Sequence, residues 1–247
     1  MFEEIYLPIL KNDDVQCLDN FSSFFCDYFN ETKKQEVLNQ DISVYYKHNN
    51  KDELEAISRF GIAFAKEFCQ RIQKKYEGYL SNVTTELKMI CEMTCKEFIH
   101  SFPSNTVVTS FLWNKKKAFF TFYPDVIHSF LLKQFPKLDF RDFKYRQMSE
   151  IESIFYRENI EPILFESVLK SCKSNELFTD NLINLLNFTS KELITSDLKE
   201  VLYPNETNDM IDLHIDLCFE TPLNNIYSAM HLLLDWSLVK DIASNIR

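Results

Sequence analysis

The sequence predicts an α/β protein of the α+β kind, with long helices on a central, mostly antiparallel sheet in α/β/α layers. A unit of strand, turn, strand and helix occurs at residues 107–135 and again at residues 210–242. Long amphipathic helices are predicted at residues 51–80 and from Ser149 onward. With 45% hydrophobic residues among 247, the chain can bury a sizeable core. The duplicated unit predicts a pseudo-twofold-symmetric domain.

The first of the two units shows how each part is assigned. Residues 107–113 carry large apolar side chains at both odd and even positions, so we expect a strand that is covered on both sides. A charged turn at residues 114–117 leads into a returning strand at residues 118–123. Pro124 then opens a helix that runs to residue 135, because its missing N–H costs nothing at the first helical position.

The chain outside the two units divides into further elements. Residues 41–48 predict an extended segment, and residues 83–93 alternate apolar and polar side chains as a half-buried strand does. Gly61, in the middle of the first long helix, predicts close packing of that helix. Residues 149–152 form a cap-and-first-turn signature for the second long helix, which continues through Val168. The other predicted elements are a strand at residues 182–188, a helix at 191–201, strands at 210–219 and 226–234, and a terminal helix from residue 235.

One strand carries side chains that could act on a ligand. Asp212, His214 and Asp216 alternate with apolar residues, so all three fall on one face of the strand at residues 210–219. Carboxylates and imidazoles in such a group suggest a metal site or acid–base chemistry. The favoured interpretation is the solvated face of an antiparallel strand, because no further ligand set is evident in the sequence. We therefore predict no catalytic and no metal-ligating residues.

Composition restricts the function classes further. A net charge of −10 disfavours sequence-independent binding to nucleic acid or to an anionic membrane, because both repel an acidic surface. The chain has two glycines, Gly61 and Gly78, so no glycine-rich phosphate loop can be written and no nucleotide cofactor is predicted. No apolar run reaches the roughly 18 residues of a spanning helix, and no signal segment opens the chain. These features predict a cytoplasmic protein.

A set of positions in the centre of the chain carries a family resemblance. The stretches EFIHSFPSNT and AFFTFYPDVIHSFLLKQF resemble the middle domain of the flagellar motor switch protein FliM, of the CheC/FliM-like family. The matching residues are Glu97, Phe98, Ile99, Ser101, Pro103, Thr106, Phe122, Pro124, Val126 and Phe135. The resemblance covers residues 42–247, which predicts one domain at residues 41–247 and a separate helical segment at residues 1–40. From the resemblance we expect a protein that lacks the family's C-terminal SpoA domain.

The resemblance implies a non-enzymatic structural or interaction subunit of the flagellar switch ring, with a role in motility and chemotaxis. Its implied partners are FliG- or FliN-like rotor proteins or the chemotaxis response regulator, in a ring or homo-oligomer. The implied location is cytoplasmic, peripheral to the inner membrane at the flagellar basal body.

The resemblance also implies a docking position after the helix that ends at Phe135. The family has a glycine pair there, but this sequence has Pro136 and Lys137, whose ring and side chain prevent close backbone approach. We therefore expect contacts to shift to the aromatic residues that follow. The predicted partner-binding residues are Phe135, Pro136, Lys137, Phe140, Phe143 and Tyr145.

Two other function classes stay open at this stage. Phosphatases of the CheC type require Glu and Asn three residues apart on a long helix, after an Asp or Ser, to hold the regulator and orient water. The first long helix has Ala56 and Arg59 at these places after Asp52. Glu36 and Asn39 have the spacing but lie outside the resembling region. A component of a type III secretion ring is the third class, because it reuses this fold without catalytic residues.

Overall fold

The computed structural model describes residues 42–45, 51–94, 97, 106–113, 116–137, 149–174, 186–194, 209–223 and 225–244. The strands in this part of the chain are β1 (Ser43–Tyr45), β2 (Ser81–Thr94), β3 (Val107–Trp113), β4 (Lys116–Phe122), β5 (Leu186–Ile194), β6 (Asp209–Glu220) and β7 (Asn225–Asp235). The helices are α1 (Lys51–Lys75), α2 (Pro124–Gln134), α3 (Glu150–Asn159), α4 (Glu161–Ser174) and α5 (Trp236–Ser244). None of these helices has the apolar length that crossing a bilayer requires.

All seven described strands join one sheet in the order β1-β2-β6-β7-β4-β3-β5. Every neighbouring pair is antiparallel except β1 and β2, which are parallel. The hairpins β3–β4 and β6–β7 lie side by side, because β4 pairs with β7 and Phe120 faces Leu232. This arrangement confirms the predicted α+β class and its mostly antiparallel sheet, and it places both predicted hairpins in the same sheet.

The duplicated units are intertwined. Each one consists of helix, strand, hairpin and helix: α1, β2, β3–β4 and α2 in the first, and α3–α4, β5, β6–β7 and α5 in the second. The strand β2 pairs with the hairpin of the second unit, at β6, while β5 pairs with the hairpin of the first unit, at β3. When each strand is replaced by its counterpart in the other unit, the order β2-β6-β7-β4-β3-β5 becomes the same order read from the opposite edge. The sheet therefore has pseudo-twofold symmetry about the β4–β7 pair. Neither unit can complete its part of the sheet without the other.

Aromatic rings connect α1 to the centre of the sheet. Ring centroids lie 5.4 Å apart for Phe60 and Trp113, 5.7 Å for Phe64 and Phe120, and 6.2 Å for Phe68 and Phe122. Each such fully buried side chain stabilises the fold by about 1.5–3 kcal/mol.

The close packing predicted at Gly61 is confirmed. A Cβ atom on this residue would lie 2.9 Å from Cδ2 of Leu87, on β2.

The two long helices end differently from the sequence prediction. The helix α1 ends at Lys75 and not at residue 80, because the following turn contains Gly78 with φ of +76°, a left-handed conformation that glycine adopts without strain. The second long helix is two helices, α3 and α4, joined at Ile160. Pro162 lacks an N–H and cannot continue the helical ladder of α3. The predicted cap at Ser149 is confirmed, with Glu152 completing a capping box.

The alternation predicted for β2 is wrong beyond its middle. A register shift between Leu87 and Met89 inserts one extra residue, which moves the core-facing positions from odd to even numbers. As a result Ile90 joins the main core, and Glu92, predicted to be exposed, is buried.

The predicted helix at residues 191–201 is wrong at its start. Residues 191–194 belong to β5, where Lys191 and Leu193 pair with Ser110 and Val108 of β3. Pairing with a distant strand overrides the local helical pattern. The rest of that prediction lies outside the described residues, as does the N-terminal segment at residues 1–40. The boundary after residue 40 stays a prediction.

Candidate functional site

The site is built around α2, which is anchored at its start. Pro124 occupies the first turn, as predicted, and the preceding Tyr123 is extended with φ of −75° and ψ of 141°. The N–H of Val126 donates to the Tyr123 carbonyl at 3.2 Å and closes the first turn. The inward side chains Ile127 and Phe130 are fully buried. The helix therefore begins at a fixed point at the end of β4 and is held along its inner face.

The other end of α2 is exposed. The N–H of Phe135 donates to the Leu131 carbonyl at 3.0 Å, and its ψ of 68° ends the helix. The Phe135 side chain is 43% exposed, and Pro136 and Lys137 after it are exposed as well. Three of the six predicted partner-binding residues thus lie together at the surface. The other three, Phe140, Phe143 and Tyr145, lie outside the described residues, so the six stay a prediction as a set.

The end of α1 meets α2 at this place. The Tyr79 hydroxyl donates to the Ser129 carbonyl at 3.0 Å, and the Tyr76 ring stacks on Phe130 with centroids 4.8 Å apart. The Lys133 ammonium lies 5.1 Å from the centre of the Tyr76 ring and donates to the Lys75 carbonyl at 3.5 Å. These contacts bring two basic helix ends together. Sequence reasoning missed this because the local signal, lysines in a last helical turn, does not say which helix ends are neighbours.

The helix α3 is fixed to the opposite flank of α2. His128 Nε2 lies 3.0 Å from Glu152 Oε1, and both side chains are buried. The same carboxylate accepts the Ser149 N–H in the capping box, so one residue both starts α3 and joins it to α2.

The exposed large hydrophobic residues of the described part of the chain share one property: each lies on α2 or on an element next to it. They are Phe135 at the C-terminal cap of α2, Ile151 and Ile154 on α3, Leu223 in the β6–β7 turn and Tyr227 on β7. The β6–β7 turn is connected through Tyr79, which also bonds the Thr221 side chain. Apolar side chains that stay in water near one element are typical of a protein interaction surface.

The interpretation of Asp212, His214 and Asp216 as a solvated strand face is wrong for the first two. Asp212 is 1% exposed and His214 is 3% exposed. His231 of β7 joins them: its Nδ1 lies 2.9 Å from Asp212 Oδ2, and its ring meets the His214 ring edge-on at 4.6 Å between centroids. His214 Nε2 lies 3.0 Å from Asp216 Oδ1.

The position of this cluster explains its chemistry. His231 is buried, and this burial lowers its pKa, although the Asp212 carboxylate beside it acts in the opposite direction. The imidazole is therefore neutral at pH 7 and donates from Nδ1 to Asp212. No group of three or more His, Cys, Asp or Glu side chains in the described residues has the geometry to hold a metal ion. The arrangement supports a structural role inside the sheet.

The residues at the phosphatase positions of α1, Ala56 and Arg59, do not form a catalytic site. Ala56 lies on the buried face of α1, while Arg59 is exposed and pairs with Glu55 on the same helix. Neither residue could position a water molecule as a Glu and Asn pair does. Glu36 and Asn39 lie outside the described residues.

Comparison with known proteins gives a likeness of fold. No protein-family model and no curated protein matches the sequence. Among solved structures, FliY from Thermotoga maritima is 14% identical with a TM-score of 0.60, over 79% of this chain and 96% of its own. FliM in a FliG–FliM complex from H. pylori is 14% identical with a TM-score of 0.59, over 79% and 100%. FliM in a FliM–SpeE complex from H. pylori is 14% identical with a TM-score of 0.59, over 80% and 95%.

Proposed function

We propose that this chain is a non-enzymatic interaction subunit of a flagellar motor switch assembly, comparable in role to the FliM middle domain. The observation that carries the proposal is the fold: its intertwined units match FliM middle domains and FliY over almost the whole of those chains. FliM was crystallised with FliG in one of these structures. We infer that a rotor protein of the FliG type is a partner of this chain.

The chemistry of the described residues supports binding more than catalysis. Two pairs of its buried polar side chains, Asp212 with His231 and His128 with Glu152, are hydrogen-bonded to each other. The positions at which CheC-type phosphatases act hold Ala56 and Arg59. Apolar side chains instead stay exposed around α2, where a partner could cover them.

Assembly and location follow from the same proposal. We expect a ring or homo-oligomer in the cytoplasm at the base of the flagellum, with a FliN-like protein or the response regulator as further partners. A type III secretion ring would use the same kind of surface. Affinity purification from the native cell, followed by identification of flagellar or secretion proteins, separates these two settings.

The mode of docking differs from one that uses a glycine loop. Pro136 has a fixed φ and no N–H to donate, and the Lys137 side chain holds a partner away from the backbone. We propose that this chain docks through side chains at and after the end of α2, beginning with Phe135.

Titration with the FliG middle domain tests this mode. The variants are wild type, Pro136→Gly/Lys137→Gly and Phe140→Ala, measured by calorimetry. We expect wild type to bind weakly, with a Kd on the order of 10 μM or above, as is common for small transient interfaces. The double glycine variant should bind more tightly because the backbone becomes accessible, and Phe140→Ala should bind more weakly.

Tight wild-type binding that neither change affects would contradict the docking mode, because the partner would then use another surface. Absence of binding by all three proteins would contradict the choice of partner.

A further inference from the structure

Four lysines lie at the neighbouring ends of α1 and α2, around the exposed Phe135. Lys74 and Lys75 belong to the last turn of α1, Lys133 to the last turn of α2, and Lys137 follows α2. The contact of Lys133 with the Lys75 carbonyl and the Tyr76 ring holds the two ends together. We call this surface the basic end: Lys74, Lys75, Lys133, Phe135 and Lys137.

Most of this charge has no ion-pair partner among the described residues. Lys74, Lys133 and Lys137 form no ion pair within the part of the chain that the structure describes, whereas Lys88 and Lys116 each pair with a carboxylate. The Glu166 carboxylate attracts the Lys75 ammonium electrostatically, but it forms an ion pair with Arg71. Glu77, in the turn after α1, is also a nearby carboxylate and is exposed. The basic end therefore contrasts with a chain whose net charge is −10.

Helix electrostatics account for part of the basic end. Lysines in the last turn of a helix compensate the negative end of its dipole, and Lys133 also caps a carbonyl of α1. This explanation does not extend to Lys137, which lies beyond α2, or to Phe135, which stays 43% exposed. Leu223, 57% exposed, lies in the turn that Tyr79 connects to α2 through Ser129. Apolar side chains with uncompensated positive charge match a partner that is both acidic and apolar.

We propose that the basic end binds an acidic segment of a partner protein, with Phe135 in apolar contact and the lysines opposite carboxylates. This inference rests on the proposed function, since the partner is taken to belong to the same assembly. Opposite charges around an apolar contact speed encounter and fix orientation, and an acidic partner would otherwise be repelled by this chain. Binding must therefore occur at the basic end and must weaken with salt.

The probe is a fluorescein-labelled peptide rich in glutamate and leucine, followed by anisotropy at low and high salt. We expect Lys133→Glu/Lys137→Glu to weaken binding at low salt by about 10-fold or more. The matched control is Lys66→Glu/Lys170→Glu, with the same change in net charge at exposed positions on α1 and α4, and an expected effect of about twofold.

Two further variants control for loss of folding and distinguish the contribution of the lysine charges from that of the apolar contact. Lys137→Glu alone disturbs none of the contacts that Lys133 makes and should still weaken binding by about threefold. Phe135→Ser should weaken binding without changing its dependence on salt.

Equal effects of the two double variants would overturn the inference, as would equal binding of a peptide with lysine in place of glutamate. Binding to phosphatidylserine vesicles without binding to the acidic peptide would overturn it in favour of a lipid surface. If the FliG domain does not bind but the peptide does, the choice of a FliG-type partner fails and the binding of an acidic segment at the basic end stands. If FliG binds and the peptide does not, the inference fails and the proposed function stands.

Discussion

The two units of the sheet share a topology but differ in what they bury. On the sheet face that carries His231, the first hairpin contributes Val108, Phe119 and Thr121, whereas the second contributes Asp212 and His214. The terminal helices differ as well. The helix α2 starts with Pro124, and its last turn belongs to the basic end. The helix α5 is capped by Asp235, whose carboxylate accepts the Ser237 N–H at 2.8 Å, and its last turn contains no basic residue.

The comparison shows that the two units share their backbone topology but not the chemistry of their side chains. Strand order and helix placement recur because each unit completes the sheet of the other. Side-chain chemistry does not recur, since either an apolar or a satisfied polar interior permits the same backbone. We infer that the second unit supplies the polar interior of the sheet and the first unit supplies the basic end.

The largest expected effect comes from breaking the polar interior of the second unit. Asp212→Ala removes the acceptor of the buried His231 and should lower the free energy of unfolding by about 3 kcal/mol. Urea denaturation measures it. The matched change in the first unit is Thr121→Val, because the buried Thr121 hydroxyl has no hydrogen-bond partner among the described residues. It should be neutral or stabilising by up to about 1 kcal/mol. Equal losses in both variants would contradict the difference between the units.

The polar interior also predicts a dependence on pH. Burial holds the pKa of His231 below its ordinary value of 6.5, so the unfolded chain binds a proton more readily than the folded one. The contribution of neutral His231 to the free energy of unfolding is therefore fully present above about pH 6.5. It declines as the pH falls towards the pKa of the folded state, by at most about 1.4 kcal/mol per pH unit. His214, Asp212 and Asp216 share this site. Denaturation between pH 5 and pH 8 should show a shallower slope for His231→Gln, and an unchanged slope would rule out this source.

Features of the fold and site that depend on neighbouring residues could be predicted from the sequence, whereas those that depend on contacts between distant residues could not. The hairpin β3–β4, the Pro124 start of α2 and the Ser149 cap follow from local rules, and all three are confirmed. The buried state of Asp212 was missed because its partner, His231, lies on another strand and alternation reports only which face a residue occupies. The bulge near Leu87 leaves no local mark, and the basic end requires a contact between distant helix ends.

A smaller effect is expected from the glycines of the first unit. Gly78→Ala places a side chain at φ of +76° and should destabilise the protein by about 1 kcal/mol. Gly61→Ala should change stability by less than about 0.5 kcal/mol, because the gain in helix propensity offsets displacement of the flexible end of Leu87. Thermal unfolding of the two variants compares them. A larger loss for Gly61→Ala would show that α1 and β2 cannot adjust.

The most direct measurement for the central proposal is hydrogen–deuterium exchange of the whole chain with and without the FliG middle domain. The end of α2 and the corresponding end of α5 are related by the pseudo-twofold symmetry, so each serves as the control for the other. If the basic end is the docking surface, amides at residues 74–79, 132–135 and 137 should exchange more slowly in the complex, while those at residues 236–244 stay unchanged. Protection confined to residues 236–244, with none at the end of α2, would contradict the account.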